Sequence, residues 1–148
     1  MGVLLQAFFF GPGRVSGVPS PLDGDAAIPF WWDHLAAQAN ALAKSGFTAV
    51  WLPPPLIGAS GGFSSGYDVF DDYGLSSKSQ KGTVPTRYGT RAQLQRCAAM
   101  MRANGIDVYV DLDSVLDSAL LPDYAVTGKV KCYFKSPAGA VLAFDPEA

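Results

Sequence analysis

Asp68, Asp71 and Asp72 sit within one Gly-, Ser- and Tyr-rich stretch, and Asp111, Asp113 and Asp117 follow an apolar run further on. Two carboxylates held in different surroundings are the minimum equipment for acid/base work, one keeping a proton while the other stays ionised. Asp111 and Asp113, two apart on a strand, would point the same way. No supporting shell that could push their proton affinities apart is visible in the sequence, so the default for all six is a solvated loop or strand-end carboxylate. Asp111 is a special case, because a carboxylate closing a buried strand needs partners. Tyr67 follows Gly66, and its flat ring can anchor a loop or stack on a ligand. His34 falls in mid-helix and reads as a surface or boundary residue. Arg14, Lys78 and Lys81 are scattered loop charges without a phosphate-cradling context. Gly11-Pro12-Gly13 opens a loop rather than a helix, and no G-x-G-x-x-G follows the first strand, so a dinucleotide site is poorly supported.

The composition narrows the partners. The formal charge is -2 and the pI about 5.1, so there is no basic footprint for nucleic acid or an anionic membrane. At 148 residues, 49% of them hydrophobic and 16% charged, the chain can bury a core of about one ordinary domain. Cys97 and Cys132 are too few for a disulfide framework and lack metal-ligand spacing; Cys97 reads as a small buried hydrophobe. No apolar run approaches the roughly 20 residues of a membrane span. Met1 to Phe10 lacks a basic n-region and a clear cleavage site, and reads as a strand rather than a signal peptide. The compartment stays open, with the cytoplasm favoured.

The elements that must carry these residues alternate. Val3–Phe10 is a nearly unbroken apolar run, the pattern of a strand buried on both faces. A loop leads to a helix over Phe30–Ser45, with Pro29 at its start and Gly46 past its end. Trp31, Leu35, Leu42 and Ala43 recur at helical spacing, which makes Trp31 the core tryptophan and leaves Trp32 beneath a strand or half exposed. Phe47–Leu52 is a second strand, stopped by Pro53-Pro54-Pro55. Leu56 to Gly89 shows no sustained periodicity, and a connection that long is usually functional or disordered. Its aromatics, among them Phe63, Tyr67, Phe70, Tyr73 and Tyr88, argue for order. Thr90 and Gln93 fit a capping box that opens a second helix through Met101, and Ile106–Leu112 is a third buried strand. Strand–helix alternation calls for parallel strands joined by right-handed crossovers. Val130–Phe134 and Ala140–Phe144 are two further short strands. Periodicity alone does not separate a doubly wound sheet from part of a barrel.

Specific strings do. Leu5-Gln6-Ala7-Phe8 resembles the L-Q-x-F of the first barrel strand in α-amylases of glycoside hydrolase family 13. Trp31-Trp32 and then Gly46-Phe47-Thr48-Ala49-Val50-Trp51-Leu52-Pro53-Pro54-Pro55 look like that family's first helix and second strand. Gly66-Tyr67-Asp68-Val69-Phe70-Asp71-Asp72-Tyr73 is similar to its G-Y-D-x-Y-D-x-Y segment. Gln80-Lys81-Gly82-Thr83-Val84 and Arg87-Tyr88-Gly89-Thr90 resemble the approach to its second helix, and Gly105-Ile106-Asp107-Val108-Tyr109-Val110-Asp111 its third strand. The resemblance implies an α/β fold, a partial (β/α)₈ TIM barrel comprising strands one to three and helices one and two. Residues 1–112 would form this part, and 113–148 the start of the excursion after strand three. The implied partner is an α-glucan or oligosaccharide with α-1,4 linkages, cleaved with retention. Tyr67 would stack under the sugar next to the cleavage point, and Asp111 would anchor the floor of the site.

The departures matter as much. Where the family closes its third strand with D-V-V-x-N-H, an ungapped reading here gives Asp111-Leu112-Asp113-Ser114-Val115-Leu116. Val115 replaces the Asn that helps hold calcium, and Leu116 the His that contacts the sugar, so no metal or other cofactor is expected. Retaining hydrolysis needs two carboxyl groups about 5–5.5 Å apart. In the family the nucleophile Asp, the acid/base Glu and a third Asp follow the fourth, fifth and seventh strands, so no catalytic residue is assigned in this sequence. Two readings result: the first portion of such an enzyme, inactive by itself, or a dead remnant that binds glucan or a protein partner. A flavodoxin-like binding domain is a third, disfavoured by the strings. An incomplete barrel should also expose sheet edges and apolar side chains, with Val3, Leu5, Val50, Leu52, Val108 and Val110 the expected contributors. Docking of the rest of a barrel, or self-association, would cover them.

Overall fold

The structure, a computed structural model, describes residues 2–11, 16–71 and 74–111, together with the strands Cys132–Lys135 and Val141–Phe144. It divides into two units, Met1–Ser114 and Val115–Ala148. In the first, β1 (Leu4–Gln6), α1 (Trp31–Lys44), β2 (Ala49–Leu52), α2 (Arg91–Ala103) and β3 (Asp107–Val110) follow in order. The sheet order is β1-β2-β3, all parallel, with Leu5 beside Val50 and Val50 beside Val108. In the second unit, β4 (Cys132–Lys135) pairs antiparallel with β5 (Val141–Phe144), Cys132 opposite Phe144.

The strands are shorter than the apolar runs that predict them. β1 pairs with β2 from Leu4–Ala49 to Gln6–Trp51, and the Ala7 N–H to the Trp51 carbonyl, 2.8 Å, is the last bond of that pairing. Beyond Leu52 come three prolines, which have no N–H to offer a ladder. Phe8 to Phe10 therefore leave the sheet, and Phe10 bridges antiparallel to Ser16 instead. At the far edge the Asp111 N–H still reaches the Leu52 carbonyl at 2.9 Å.

The helices form for local reasons. Thr90 accepts from the Gln93 N–H while the Gln93 side chain accepts from the Thr90 N–H, which completes the capping box of α2. α1 closes with Ser45, whose N–H and hydroxyl both reach the Ala41 carbonyl, and then Gly46 at φ +89. A side chain at Gly46 would have open space around it, so glycine is required there by backbone conformation alone. Asp33 of α1 accepts from Gln93 Nε2 at 2.6 Å and pairs with Arg96, tying the two helices together.

Both helices cover one face of the sheet. Val50 and Leu52 are fully buried with Ala7, Phe8, Leu35, Ala39, Cys97, Met101 and Ile106, each large side chain contributing about 1.5–3 kcal/mol. Burial pushes the Cys97 thiol up to about 11, with Asp33 adding to the effect, so it behaves as the small hydrophobe its spacing implies. Two expectations need correcting here. Trp32, not Trp31, is the core tryptophan: it lies in the inward set Trp32, Leu35, Ala36 and Ala39, a complete i, i+3, i+4, i+7 stripe. Trp31 is half buried, donates to the Ala7 carbonyl at 2.7 Å and stacks on exposed His34.

The second correction concerns the uncovered face. Leu5, Val50, Leu52 and Val108 point toward the helices and pack in or against the core. Along the strands and the continuation of β1, the exposed apolar residues are Val3 and Val110, as expected, together with Leu4 (54%), Phe9, Phe10 and Tyr109 (57%). Side chains alternate across a strand, so Leu4, Gln6, Trp51 and Tyr109 share the open face by register. Both faces of these strands are apolar enough that the sequence did not distinguish them.

Candidate functional site

The site starts where β2 stops. Pro53 and Pro54 lead into the long excursion, whose described residues form no helix or strand yet are pinned at many points. Gly58 bridges to both Gly61 and Val69. Asp68 accepts from the Ser60 N–H and hydroxyl at 3.3 Å each and from the Ser64 hydroxyl. The Gly66 N–H then donates to Ser64 Oγ at 2.9 Å, and Gly66 sits at φ +89. A Cβ there would lie 2.9 Å from Pro54 Cβ and 3.0 Å from its carbonyl oxygen. Glycine is thus required twice over, by conformation and by space, and the turn it makes presents Tyr67.

Tyr67 is half buried, and its hydroxyl donates to Asp111 Oδ2 at 2.8 Å across 44 residues of sequence. Asp111 directly follows β3, so the pair sits at the C-terminal ends of the parallel strands, the end where α/β folds assemble their sites. Phe10 lies beside the Tyr67 ring (centroids 5.6 Å), Phe8 stands edge-on to Phe10 (6.0 Å), and Trp51 edge-on to Phe8 (5.3 Å). The result is an aromatic row ending at a carboxylate. An aromatic face can shed water against the apolar face of a neutral ring, while a carboxylate accepts hydroxyl protons beside it.

The structure joins the two site residues expected from the resemblance, Tyr67 and Asp111, and gives Asp68 and Asp71 other partners. Asp68 faces Ser60 and Ser64, whereas Asp71 pairs with Lys78 at 2.8 Å and Gln80 Nε2 at 2.6 Å. Lys81 lies over the Phe70 ring. Among the described residues there is no group of three or more His, Cys, Asp or Glu able to hold a metal ion. Arg14, Asp72, Tyr73, Leu112, Asp113, Val115, Leu116 and Asp117 lie outside the described residues.

Sequence reasoning missed two supports. Arg87 is buried, donates from Nε to the Val18 carbonyl at 3.0 Å, and grips Asp23 through both terminal nitrogens at 2.8 and 2.5 Å. Its partner lies 64 residues away, so nothing local announces the pair. A two-pronged guanidinium–carboxylate contact fixes orientation as well as distance, and here it ties the end of the excursion to the loop after β1. Tyr88, wholly buried, packs on Trp32 with centroids 5.4 Å apart. Burial pushes its phenol above the ordinary tyrosine value, against the opposing pull of Ser16 and Arg87.

No protein-family model matches the chain. It is 47% identical over 81 residues to a glucan 1,4-alpha-maltohexaosidase of Bacillus sp. (strain 707), covering 55% of this chain and 15% of that protein. To an alpha-amylase of Geobacillus stearothermophilus it is 37% identical over 122 residues, covering 76% of this chain and 22% of that protein. The chain therefore spans less than a quarter of the length of either relative. Among solved structures it is similar to an alternansucrase in complex with isomaltotriose, at a TM-score of 0.53 and 20% identity over 74% of this chain and 10% of that one. At that identity the likeness speaks for fold alone.

Proposed function

This chain is a relative of the α-amylases of glycoside hydrolase family 13, and from that kinship we propose that it is the first portion of a glycoside hydrolase acting on α-1,4-glucans. Residues 1–112 supply strands one to three and helices one and two of a (β/α)₈ barrel, and 113–148 begin the excursion after strand three. The observation that carries the reading is the Tyr67–Asp111 hydrogen bond at the C-terminal end of the sheet. It holds the ring edge-on to the carboxylate, so that the ring face serves a pyranose and the fixed charge sits beside its hydroxyls. Tyr67 is the stacking platform and Asp111 the anchor of the floor; neither is assigned a covalent or proton-transfer step. Those steps belong to a carboxyl pair about 5–5.5 Å apart, supplied in the family by later strands.

A chimera tests this. Residues 1–111 of this chain, replacing the aligned segment of the Geobacillus stearothermophilus α-amylase, should give a folded enzyme that hydrolyses starch. Tyr67→Ala in the chimera should lower kcat/KM by about tenfold or more, equivalent to roughly 1.4 kcal/mol, while Tyr67→Phe, which keeps the ring but not its hydrogen bond to Asp111, should lose less than Tyr67→Ala. A folded chimera indifferent to Tyr67→Ala would refute the platform role.

The family's calcium site does not fit this sequence. The resemblance puts a ligand at position 115, and the hydrocarbon side chain of Val115 offers no oxygen to a hard cation. We therefore expect a chelator to leave the melting temperature of the 148-residue chain unchanged. A fall of more than about 4 °C, roughly what 1 kcal/mol produces at this size, would show that calcium is held after all.

A further inference from the structure

We propose that Tyr88 is a positioning residue for the Tyr67–Asp111 pair, its hydroxyl fixing the turn from which Tyr67 projects. The hydroxyl donates to the Ser65 carbonyl at 2.9 Å, two residues before Tyr67. It also lies 3.3 Å from Ser16 Oγ. A phenol has one proton to give, and the shorter contact takes it, which leaves Ser16 to donate in return. The opposite side of the turn is closed by Pro54, against which Gly66 packs too tightly for any side chain. The Ser65–Gly66 peptide is thus pinched between Pro54 and the Tyr88 hydroxyl.

Tyr88 itself has little freedom. Its ring is 1% exposed and rests on Trp32, and its carbonyl accepts the Trp32 N–H at 3.1 Å. On one side Arg87 is gripped by Val18 and Asp23; on the other Gly89, at φ +132, lies close against Trp32. The rigid base is therefore α1, and the hydroxyl carries that rigidity to a loop with no secondary structure of its own. Without it the Ser65 carbonyl loses its donor, the peptide is free to rotate, and Tyr67 swings from Asp111 Oδ2. A group that only filled the core would act through its ring and not through its oxygen.

The test uses the full chain with tyrosine labelled by ¹³C at Cζ, the Tyr67 resonance being assigned from Tyr67→Phe. Tyr88→Phe, which keeps the ring, should move the Tyr67 resonance toward its position in Asp111→Asn and leave that of exposed Tyr109 in place. Met101→Ala destabilises the core behind the sheet without touching the turn, and should leave Tyr67 unmoved. Should Tyr88→Phe fail to fold, 3-fluorotyrosine at position 88 keeps the hydroxyl and strengthens it as a donor; it should move Tyr67 in the sense opposite to Asp111→Asn. A Tyr67 resonance that stays put in folded Tyr88→Phe, or in the fluorinated chain, overturns the proposal. The inference rests on the glucan reading only for what the pair serves. If Tyr88→Phe moves Tyr67 but maltoheptaose does not perturb the Tyr67 signal of the chimera, positioning stands and the glucan reading fails. The reverse pattern retires Tyr88 alone.

Discussion

Incubated with soluble starch, the purified 148-residue chain should release no reducing sugar above a protein-free control. The effect is the largest expected here, because enzymes of any class supply at least about a million-fold over the uncatalysed rate, and a platform without reacting groups supplies almost none of it. Tyr67 and Asp111 occupy one another at 2.8 Å. Asp68 and Asp71 are engaged with serines and with Lys78 and Gln80. A phenol–carboxylate pair can hold a sugar ring but does not provide the nucleophile and acid of a retaining mechanism. Turnover that survived repurification and disappeared on Asp111→Ala and Asp113→Ala would show that these carboxylates do chemistry, and would overturn the assignment.

The second large effect is on assembly. β1 and β3 are the two edges of a three-stranded sheet, and each edge offers unpaired N–H and C=O groups to another chain. The face away from the helices adds Leu4 and Tyr109, each more than half exposed. Apolar patches beyond a few hundred Å² drive association in soluble proteins. Light scattering coupled to size exclusion, over about a hundredfold range of concentration, should show self-association that grows with concentration. Leu4→Glu with Tyr109→Lys should shift the chain toward monomer, because both side chains lie on the open face. Val50→Lys, on the covered face, should instead unfold it, since an unpaired buried charge costs several kcal/mol. A concentration-independent monomer that binds no hydrophobic dye would refute the open-face argument and favour a self-sufficient remnant.

The sequence by itself determined what depends on near neighbours. The capping box at Thr90 and Gln93, the glycine stop after α1 and the proline stop after β2 each act through groups a few residues apart, and all three are legible as strings. The strand–helix alternation followed from period and punctuation, and the likeness of several strings to one enzyme family brought out Tyr67 and Asp111 together. Tertiary structure alone decided which face of the sheet the helices cover. Leu4 and Leu5, or Val50 and Trp51, are adjacent apolar residues on opposite faces, and nothing in their chemistry says which side will meet α1. It decided likewise that Trp32 rather than Trp31 enters the core. The supports of the site were hidden for the same reason. Arg87 meets Asp23 across 64 residues, Tyr88 meets Ser16 across 72, and Tyr67 meets Asp111 across 44. Such pairs exist only once parallel strands in fixed register bring the loops at their C-terminal ends to one place, and the register is set by the whole buried face at once rather than by any residue that takes part.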